Sequence, residues 1–426
     1  MRVAIVGSGI AGLGCARLLQ QQGCRVTVFE ANAYAGGHTH TVDVTLEGIT
    51  APVDTGFLVY NDRTYPKLIA LFSELGIETA PSTMSFAVRD DRAGVEWAGT
   101  DLAALFAQPA NLARPAFWRM LADILRFNRA TTALQRADRV PETTLGTFLE
   151  TGDYSAAFRD WYLLPMGAAI WSVPAKAVLD FPLPSFVQFC YRHGLLQIFD
   201  RPQWRTVSGG ARTYVRRIVA QLRDVRLSTP VQRVRRFANQ VEVDSAAGAG
   251  ERFDQVVFAC HSDQTRALLA DATPTEAQLL GSVRYQPNRV LLHTDARLMP
   301  RRRRAWSAWN YLAADARSDL PVCVTYWINK LQPLPFATPV LVTLNPHVEP
   351  SPATLIAEFA YSHPIVKSAA VTAQQQFARI QGERRTWYAG AWLGHGFHED
   401  GLASAHVVAH GIGAHSLTAA AELAAA

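Results

Sequence analysis

The stretch "VAIVGSGIAGLGCARLLQQQGCRVTVFE", Val3 to Glu30, decides how the chain begins to fold. Val3 to Val6 predicts a short apolar strand, Gly7-Ser8-Gly9-Ile10-Ala11-Gly12 a GxGxxG turn, and Leu13 to Gln22 a helix. Arg25 to Phe29 then predicts a second strand, closed by Glu30. Each glycine has a mechanical reason. Gly7 permits the tight turn, Gly9 lets backbone approach a pyrophosphate, and Gly12 lets the helix lie against the strand. The helix start offers free N–H groups and partial positive charge to phosphates. Glu30, eighteen residues beyond Gly12, is placed to accept from the adenosine ribose. Strand, turn, helix, strand and terminal acid in this order predict dinucleotide binding.

NAD and FAD share this unit, so the discriminator lies downstream, in "EANAYAGGHTHTV". A second glycine pair, Gly36 and Gly37, resembles the extension of the flavin amine oxidase and carotenoid desaturase superfamily. There the pair is usually followed by Arg, and here His38 stands in that place. The resemblance implies an α/β fold: a Rossmann-like FAD-binding domain of the glutathione reductase-2/amine oxidase type, with an interleaved α+β substrate domain. It divides the chain into 1–64, 201–261 and 386–426 for FAD, and 65–200 and 262–385 for substrate. "SGGARTYVRRIVAQL" reads as a glycine pair plus amphipathic helix, "VRLSTPVQRVRR" and "QVEVDS" as strands, and "FDQVVFAC" as a buried strand. Val231 matches the adenine-contacting valine of that superfamily.

Near the end, "GHGFHEDGLASAH" gathers His395, His398, Glu399, Asp400 and His406 within a dozen residues. His398-Glu399 begins like HExxH, but the second histidine would fall at 402, which is Leu402. Gly394, Gly396 and Gly401 predict a glycine-rich turn, so no metal is expected. The longer segment "WYAGAWLGHGFHEDGLASA" resembles the closing flavin motif of the superfamily, in which Ala-Gly leads through a glycine-rich turn into a helix. Its N-terminus would stabilise charge on the reduced flavin, with Gly401 and Leu402 as amide donors by position. Ala391 replaces the acid common after Ala-Gly, and no cysteine is present for a thioether, so FAD should be non-covalent. The resemblance places the cofactor against Gly7, Gly9, Ile10, Ala11, Gly12, Glu30, Ala31, Gly36, Gly37, His38, Thr55, Gly56, Phe57, Val231, Gly390, His398, Asp400, Gly401 and Leu402.

A further resemblance spans almost the whole chain. "VDTGFLVYN", "AAIWSVP", "RPQWRTVSGG", "AWSAWNYL", "VCVTYWINKLQ" and "GFHEDG" are similar to bacterial NAD/FAD-binding oxidoreductases related to the amino-terminal domain of plant cyclopropane fatty-acid synthases. This implies a lipid or fatty-acyl substrate and a fatty-acid methyltransferase as partner. Desaturation or a related redox step on an unsaturated, cyclopropane or methyl-branched acyl chain is the expected reaction. The alternatives are amine oxidation and a non-catalytic FAD-bound partner of the methyltransferase. "PLPSFVQFCYRHGLLQIF" would serve equally as an apolar tunnel wall or as ordinary core. "TYWINKLQP" alternates like a strand, with Tyr326, Ile328 and Lys330 on one face. Amine oxidases place a lysine near flavin N5, which makes Lys330 a candidate. His38, His398 and Glu399 are candidate bases by their motif positions.

Composition bounds these readings. The 426 residues are 49% apolar, enough for two or three packed cores, and no apolar run reaches the length of a membrane span. No secretory leader is recognisable, and five cysteines without a CxxC pair suit reduced thiols, so a cytoplasmic location is expected. The 41 Lys and Arg barely exceed the 36 Asp and Glu, which argues against nucleic acid. Arg301 to Arg304 beside Trp306 and Trp309 could touch an anionic bilayer, peripherally and from the inner face, or form a solvated loop.

Overall fold

The computed structural model describes residues 1–197, 200–313, 321–365 and 367–425. Five parallel strands form its first sheet, in the order Val225–Arg226, Arg25–Phe29, Arg2–Val6, Gln255–Phe258 and Thr386–Tyr388. The central strands are almost wholly apolar, because a parallel sheet is covered on both faces. Val3, Ile5, Val26, Val28 and Val257 pack under the first helix, Ile10–Gln21, and the last, His398–Ala425. Ala4, Val6, Val256, Phe258 and Tyr388 face the other way. They meet a three-stranded antiparallel sheet (Val231–Arg236, Val241–Ser245, Gly248–Phe253) and helices Pro274–Gly281 and Ser368–Gln376. The period-two alternation of each strand thus feeds two separate cores.

The second sheet has seven strands, in the order Leu355–Ile365, Arg284–His293, Leu341–Leu344, Cys323–Trp327, Trp309–Leu312, Phe86–Asp90 and Val95–Ala98. Helices Pro115–Arg136, Leu164–Trp171 and Leu183–Arg192 share its large aromatic core. All five strands of the parallel sheet come from 1–64, 201–261 and 386–426. Packing nevertheless carries helix Pro66–Glu74, through Leu68, Leu71 and Phe72, onto Ile10, Leu13 and Tyr214 of the dinucleotide side. Hairpin Thr41–Leu46 and Ile49–Asp54 goes the other way, and its Val44 and Val53 join the large core.

One expectation is corrected here, and two open readings are narrowed. The strand in "TYWINKLQP" ends at Trp327, and Ile328–Leu331 turns as a short helix, so Lys330 leaves the face of Tyr326 and is exposed. A side chain in solvent cannot work beside a flavin in a water-excluded cleft. The Arg301–Arg304 run is largely spent within the protein. Arg301 pairs with Asp91 at 2.9 Å, Arg302 with Glu96 at 2.7 Å, and Arg303 lies 3.9 Å over the Trp306 ring. The apolar stretch from 182 forms helix Leu183–Arg192, buried in the large core through Phe186, Val187 and Phe189; Ile198 and Phe199 lie outside the described residues.

The tightest constraint sits at Gly12. A Cβ there would lie 2.0 Å from the carbonyl oxygen of Gly7, a backbone atom that cannot swing aside. Gly12→Ala should therefore cost about 3 kcal/mol or more, through overpacking that separates helix from strand. Urea melts followed by far-ultraviolet circular dichroism check this, and a wild-type midpoint would contradict it.

Candidate active site

Four segments meet where the first and last helices begin. Gly36 donates its amide to the Ser8 carbonyl at 3.1 Å, laying the second glycine pair on the GxGxxG turn. A Cβ on Gly37 would sit 3.2 Å from the Gly9 Cα. Gly36 and Gly37 both have positive φ, 120° and 57°, which is why the pair is glycine. Segment 38–40 is then held against 55–57, with Phe57 N–H on the His38 carbonyl and Thr55 N–H on the His40 carbonyl, both at 2.9 Å. The last helix enters at Gly401, whose absent Cβ would meet Ile10 Cγ2 at 2.9 Å.

The resulting cleft fits a flavin dinucleotide. A Cβ built on Gly9 meets nothing within 4 Å, so the turn is open on the side where its neighbours are closed. Glu30 is buried at the end of the second strand, accepting from Ser8 N at 3.0 Å and Asn32 N at 2.8 Å, and from the Ser8 hydroxyl. Its carboxylate is thus fixed in place, while Ala31 is exposed. Thr229 N–H on the Glu30 carbonyl and Ser228 N–H on the Asn32 carbonyl, each 2.8 Å, bring Val231 beside this corner. At the far end the amides of His398, Glu399 and Asp400 have no partner among the described residues, as a helix start requires.

The structure redistributes several roles. Gly401 N–H is taken by the Phe397 carbonyl at 3.1 Å, and Leu402 lies a turn into the helix with its side chain packed in the core. The donors available to a ligand are therefore 398–400 rather than 401 and 402. Glu399 is not a base: its two carboxylate oxygens accept from Lys67 N at 2.9 Å and Leu68 N at 3.0 Å, capping helix Pro66–Glu74. Asp400 holds the glycine-rich turn through His395 N and Phe397 N, at 3.1 and 2.9 Å. Burial pushes its carboxyl up to about 6. Gly390, two residues past the last strand, donates its amide to the Ser404 hydroxyl at 2.9 Å. His395, His398 and His406 have separate neighbours: His395 packs near Phe189, His398 stacks on Phe57 at 3.7 Å, and His406 is exposed. His398 Nε2 is shared by Thr39 Oγ1 and the Tyr214 hydroxyl at 3.0 and 3.1 Å, and burial lowers its pKa to about 3.

His38 is the site's open valence. Its Nε2 is buried without a partner, while the Ser362 carbonyl favours a proton on the other ring nitrogen. Burial, reinforced by His261, lowers its pKa to about 4, so the ring is a neutral acceptor. Where the superfamily pattern has a cationic arginine, this chain offers a lone pair suited to a hydroxyl donor. Two further histidines surround it, His363 at 5.3 Å and His261 at 6.0 Å between ring centroids, with Tyr361 at 5.2 Å. Sequence reasoning missed all three, and Tyr214 as well. They come from strand ends and a helix scattered over 150 residues, and no local spacing marks them. Tyr361 also bonds Thr55 Oγ1 at 2.7 Å and His40 Nδ1 at 2.9 Å, tying the seven-stranded sheet to the cofactor loops.

Comparison with known proteins agrees with this geometry. The profile of the family described as flavin containing amine oxidoreductase matches residues 10–312. Amine oxidase [flavin-containing] A of Sus scrofa is 40% identical over 77 residues, 18% of this chain and 14% of that protein. A 1-hydroxycarotenoid 3,4-desaturase of Flavobacterium sp. is 49% identical over 43 residues, 10% of this chain and 9% of the other. The chain thus aligns with at most 19% of the length of the first curated relatives it matches, and with 14% and 9% of these two. Among solved structures, a conjugated-linoleic-acid-producing (CLA-producing) fatty acid isomerase from P. acnes superposes with a TM-score of 0.66. The match covers 96% of this chain and 98% of that one at 16% identity.

Two outcomes follow from the geometry. Gly9→Val should leave the fold intact, since no protein atom opposes the new side chain, yet cut bound flavin by about tenfold or more by filling the approach to the pyrophosphate. Absorbance near 450 nm relative to protein, read beside an unchanged melting midpoint, checks it; full colour would refute it. The second concerns His363, whose Nδ1 accepts from Asn288 at 2.9 Å and whose pKa burial lowers to about 3. An unfolded histidine titrates near 6.5, so the unfolded chain binds more protons below that pH, and native stability is lost as pH falls from about 6.5. His363→Asn removes this term. The stability advantage of wild type over the variant should shrink by up to about 1.4 kcal/mol per pH unit between pH 6 and 4. Paired urea melts across that range measure it, and a constant difference would show His363 uninvolved.

Proposed function

Because the chain belongs to the flavin containing amine oxidoreductase family and is an FAD-dependent oxidoreductase, we propose that it acts on the acyl chain of a lipid. The proposed step is a desaturation or related redox modification of an unsaturated, cyclopropane or methyl-branched chain. The observation that carries this reading is the electrical neutrality of the cleft. Asp54, Glu399 and Asp400 each accept from protein donors and Glu30 stands at the ribose end, which leaves no carboxylate among the described residues of the cleft to receive an ammonium. What remains is imidazole and aromatic surface: His38, His261, His363, Tyr361 and Phe57. Phe189, stacked on Phe397 at 4.9 Å, carries that surface into the large apolar core. The carotenoid desaturase and the fatty acid isomerase, both acting on long hydrocarbon chains by their names, are in keeping with it.

Bound flavin supplies the two-electron acceptor; the protein positions it, excludes water and controls protons. Gly9 and the first helix would receive the pyrophosphate, Glu30 the ribose, Val231 the adenine, and amides 398–400 the pyrimidine end, where negative charge develops on reduction. His38 Nε2 accepts a hydrogen bond from the ligand. Neither His38 nor His398 is charged at neutral pH, which keeps the pocket hospitable to hydrocarbon.

Amine oxidation is the second reading, favoured by the 40% identity to a mammalian amine oxidase. A fatty-acid methyltransferase is the proposed partner, since it would generate branched or cyclopropane chains. Anaerobic mixing separates the readings. Oxidised protein is combined with phospholipids of each chain type or with primary amines, while flavin bleaching is followed and mass spectrometry seeks a loss of two hydrogens. Bleaching with lipid is the expected result. Bleaching by amines alone would replace the lipid reading with the second one. Altered lipid of unchanged mass would assign an isomerase.

A further inference from the structure

Helix Pro115–Arg136 shows solvent two kinds of side chain on one stripe. Trp118, Ala122, Leu125, Arg129, Ala133 and Arg136 recur at three- and four-residue steps, so they share a face, and all six are exposed. The opposite face, Phe117, Met120 and Phe127, is buried and fixes the helix on the large core. Trp118 is 50% and Leu125 55% exposed, and Leu112, just before the helix, 54%. The Trp118 indole N–H donates to the Leu112 carbonyl at 2.9 Å, so the two present one apolar surface rather than stray residues. Such a surface on a folded domain marks a contact.

The cations on the stripe are uncommitted. Arg119 and Arg126 both lean on Asp123, at 3.5 and 3.0 Å, but Arg129 and Arg136 have no acidic partner among the described residues. Between this helix and Leu196 lies a groove of about 360 Å³, lined by Leu125, Asn128, Arg129, Ala133 and Arg136. Asn128 is only 8% exposed, and its Oδ1 has no hydrogen-bond partner. Unpaired cations at the rim, a partnerless polar atom in the wall and apolar side chains beyond describe the complement of a lipid headgroup with its first methylenes.

We propose that this face docks on an anionic phospholipid bilayer. Trp118, Leu112 and Leu125 enter the boundary between headgroups and acyl chains, Arg129 and Arg136 pair with phosphates, and the groove takes one glycerophosphate. The wide amphipathic indole suits that boundary, and arginine stems cover apolar surface while their heads reach water. An acidic protein would satisfy the charges but leave the tryptophan and leucines without a reason. The assignment is independent of the substrate, because vesicle binding requires no turnover.

The test is sedimentation of the flavin-loaded protein with vesicles of phosphatidylcholine, with and without phosphatidylglycerol. Wild type should partition onto the anionic vesicles and lose that binding at high salt. Arg129→Glu with Arg136→Glu should lower the partition coefficient about 30-fold or more, at roughly five- to sixfold per headgroup-facing arginine lost, while Trp118→Ser should weaken it at any salt. Both variants should keep wild-type flavin absorbance and melting midpoint, since neither face is part of the cofactor cleft. Absence of wild-type binding, equal binding by the arginine variant, or loss of binding only when Arg304 is replaced would each overturn the proposal.

Discussion

Two helices must begin in the same small volume, and the sequence is shaped by that requirement. The first helix enters under Gly12, which touches the Gly7 carbonyl, and the last enters at Gly401, against Ile10. One turn further on, a Cβ at Gly14 would meet Leu402 and Ala405 at about 3 Å. Gly14 and Gly401, 387 residues apart on the two helices, therefore set one interhelical distance, while Gly12 sets the approach of the first helix to its strand. The approach points two partially positive helix ends into one cleft, which by itself biases the cleft toward a phosphorylated, redox-active ligand. Helix propensity is sacrificed to obtain it, since glycine in a helix interior costs about 1 kcal/mol relative to alanine.

The carboxylates around the cleft serve this geometry instead of chemistry. Asp54 is fully buried, and its carboxylate accepts from Thr41, from Ala211 N at 2.9 and 3.0 Å and from Gln332 Nε2 at 2.6 Å. One group thereby pins a hairpin, the start of helix Arg212–Val219 and the turn after Ile328–Leu331. Desolvation pushes its pKa up to about 7 despite these donors, the cost of placing a near-anionic clamp in the interior. Glu399 does the same for helix Pro66–Glu74, and Asp400 for the glycine-rich turn. With its acids consumed as clamps, the pocket is left to neutral rings.

What could be read from sequence was whatever is enforced locally. Gly7, Gly9 and Gly12 have fixed spacing because one turn must close, bend and stay open within six residues, and the strand and helix on either side carry their own periodicity. Glu30 and the pair Gly36 and Gly37 are within one loop of that turn. Residues that act through distant contacts were illegible. His363 and Tyr361 belong to a strand of the second sheet, and His261 follows the strand beside the first; only the fold brings these rings within about 6 Å of His38. Motif position misled at Glu399, because its offset from the flavin end of the helix directs it onto the neighbouring helix. Alternation misled at Lys330, because the pattern of a strand ran two residues past the point where the backbone turned.

The long strand Leu355–Ile365 links the two halves of the molecule. It pairs along its length within the seven-stranded sheet, and the side chains of Tyr361 and His363 reach the cofactor loops and His38. A displacement of that sheet would move the Ser362 backbone beside His38 and the Tyr361 hydroxyl that bonds Thr55. The wall of the large apolar core and the rings around the flavin site are in this way one mechanical unit. The strand that packs on the large core thus also carries the hydroxyl that bonds Thr55 and the ring that lies 5.3 Å from His38, so the wall of that core and the cleft share one backbone.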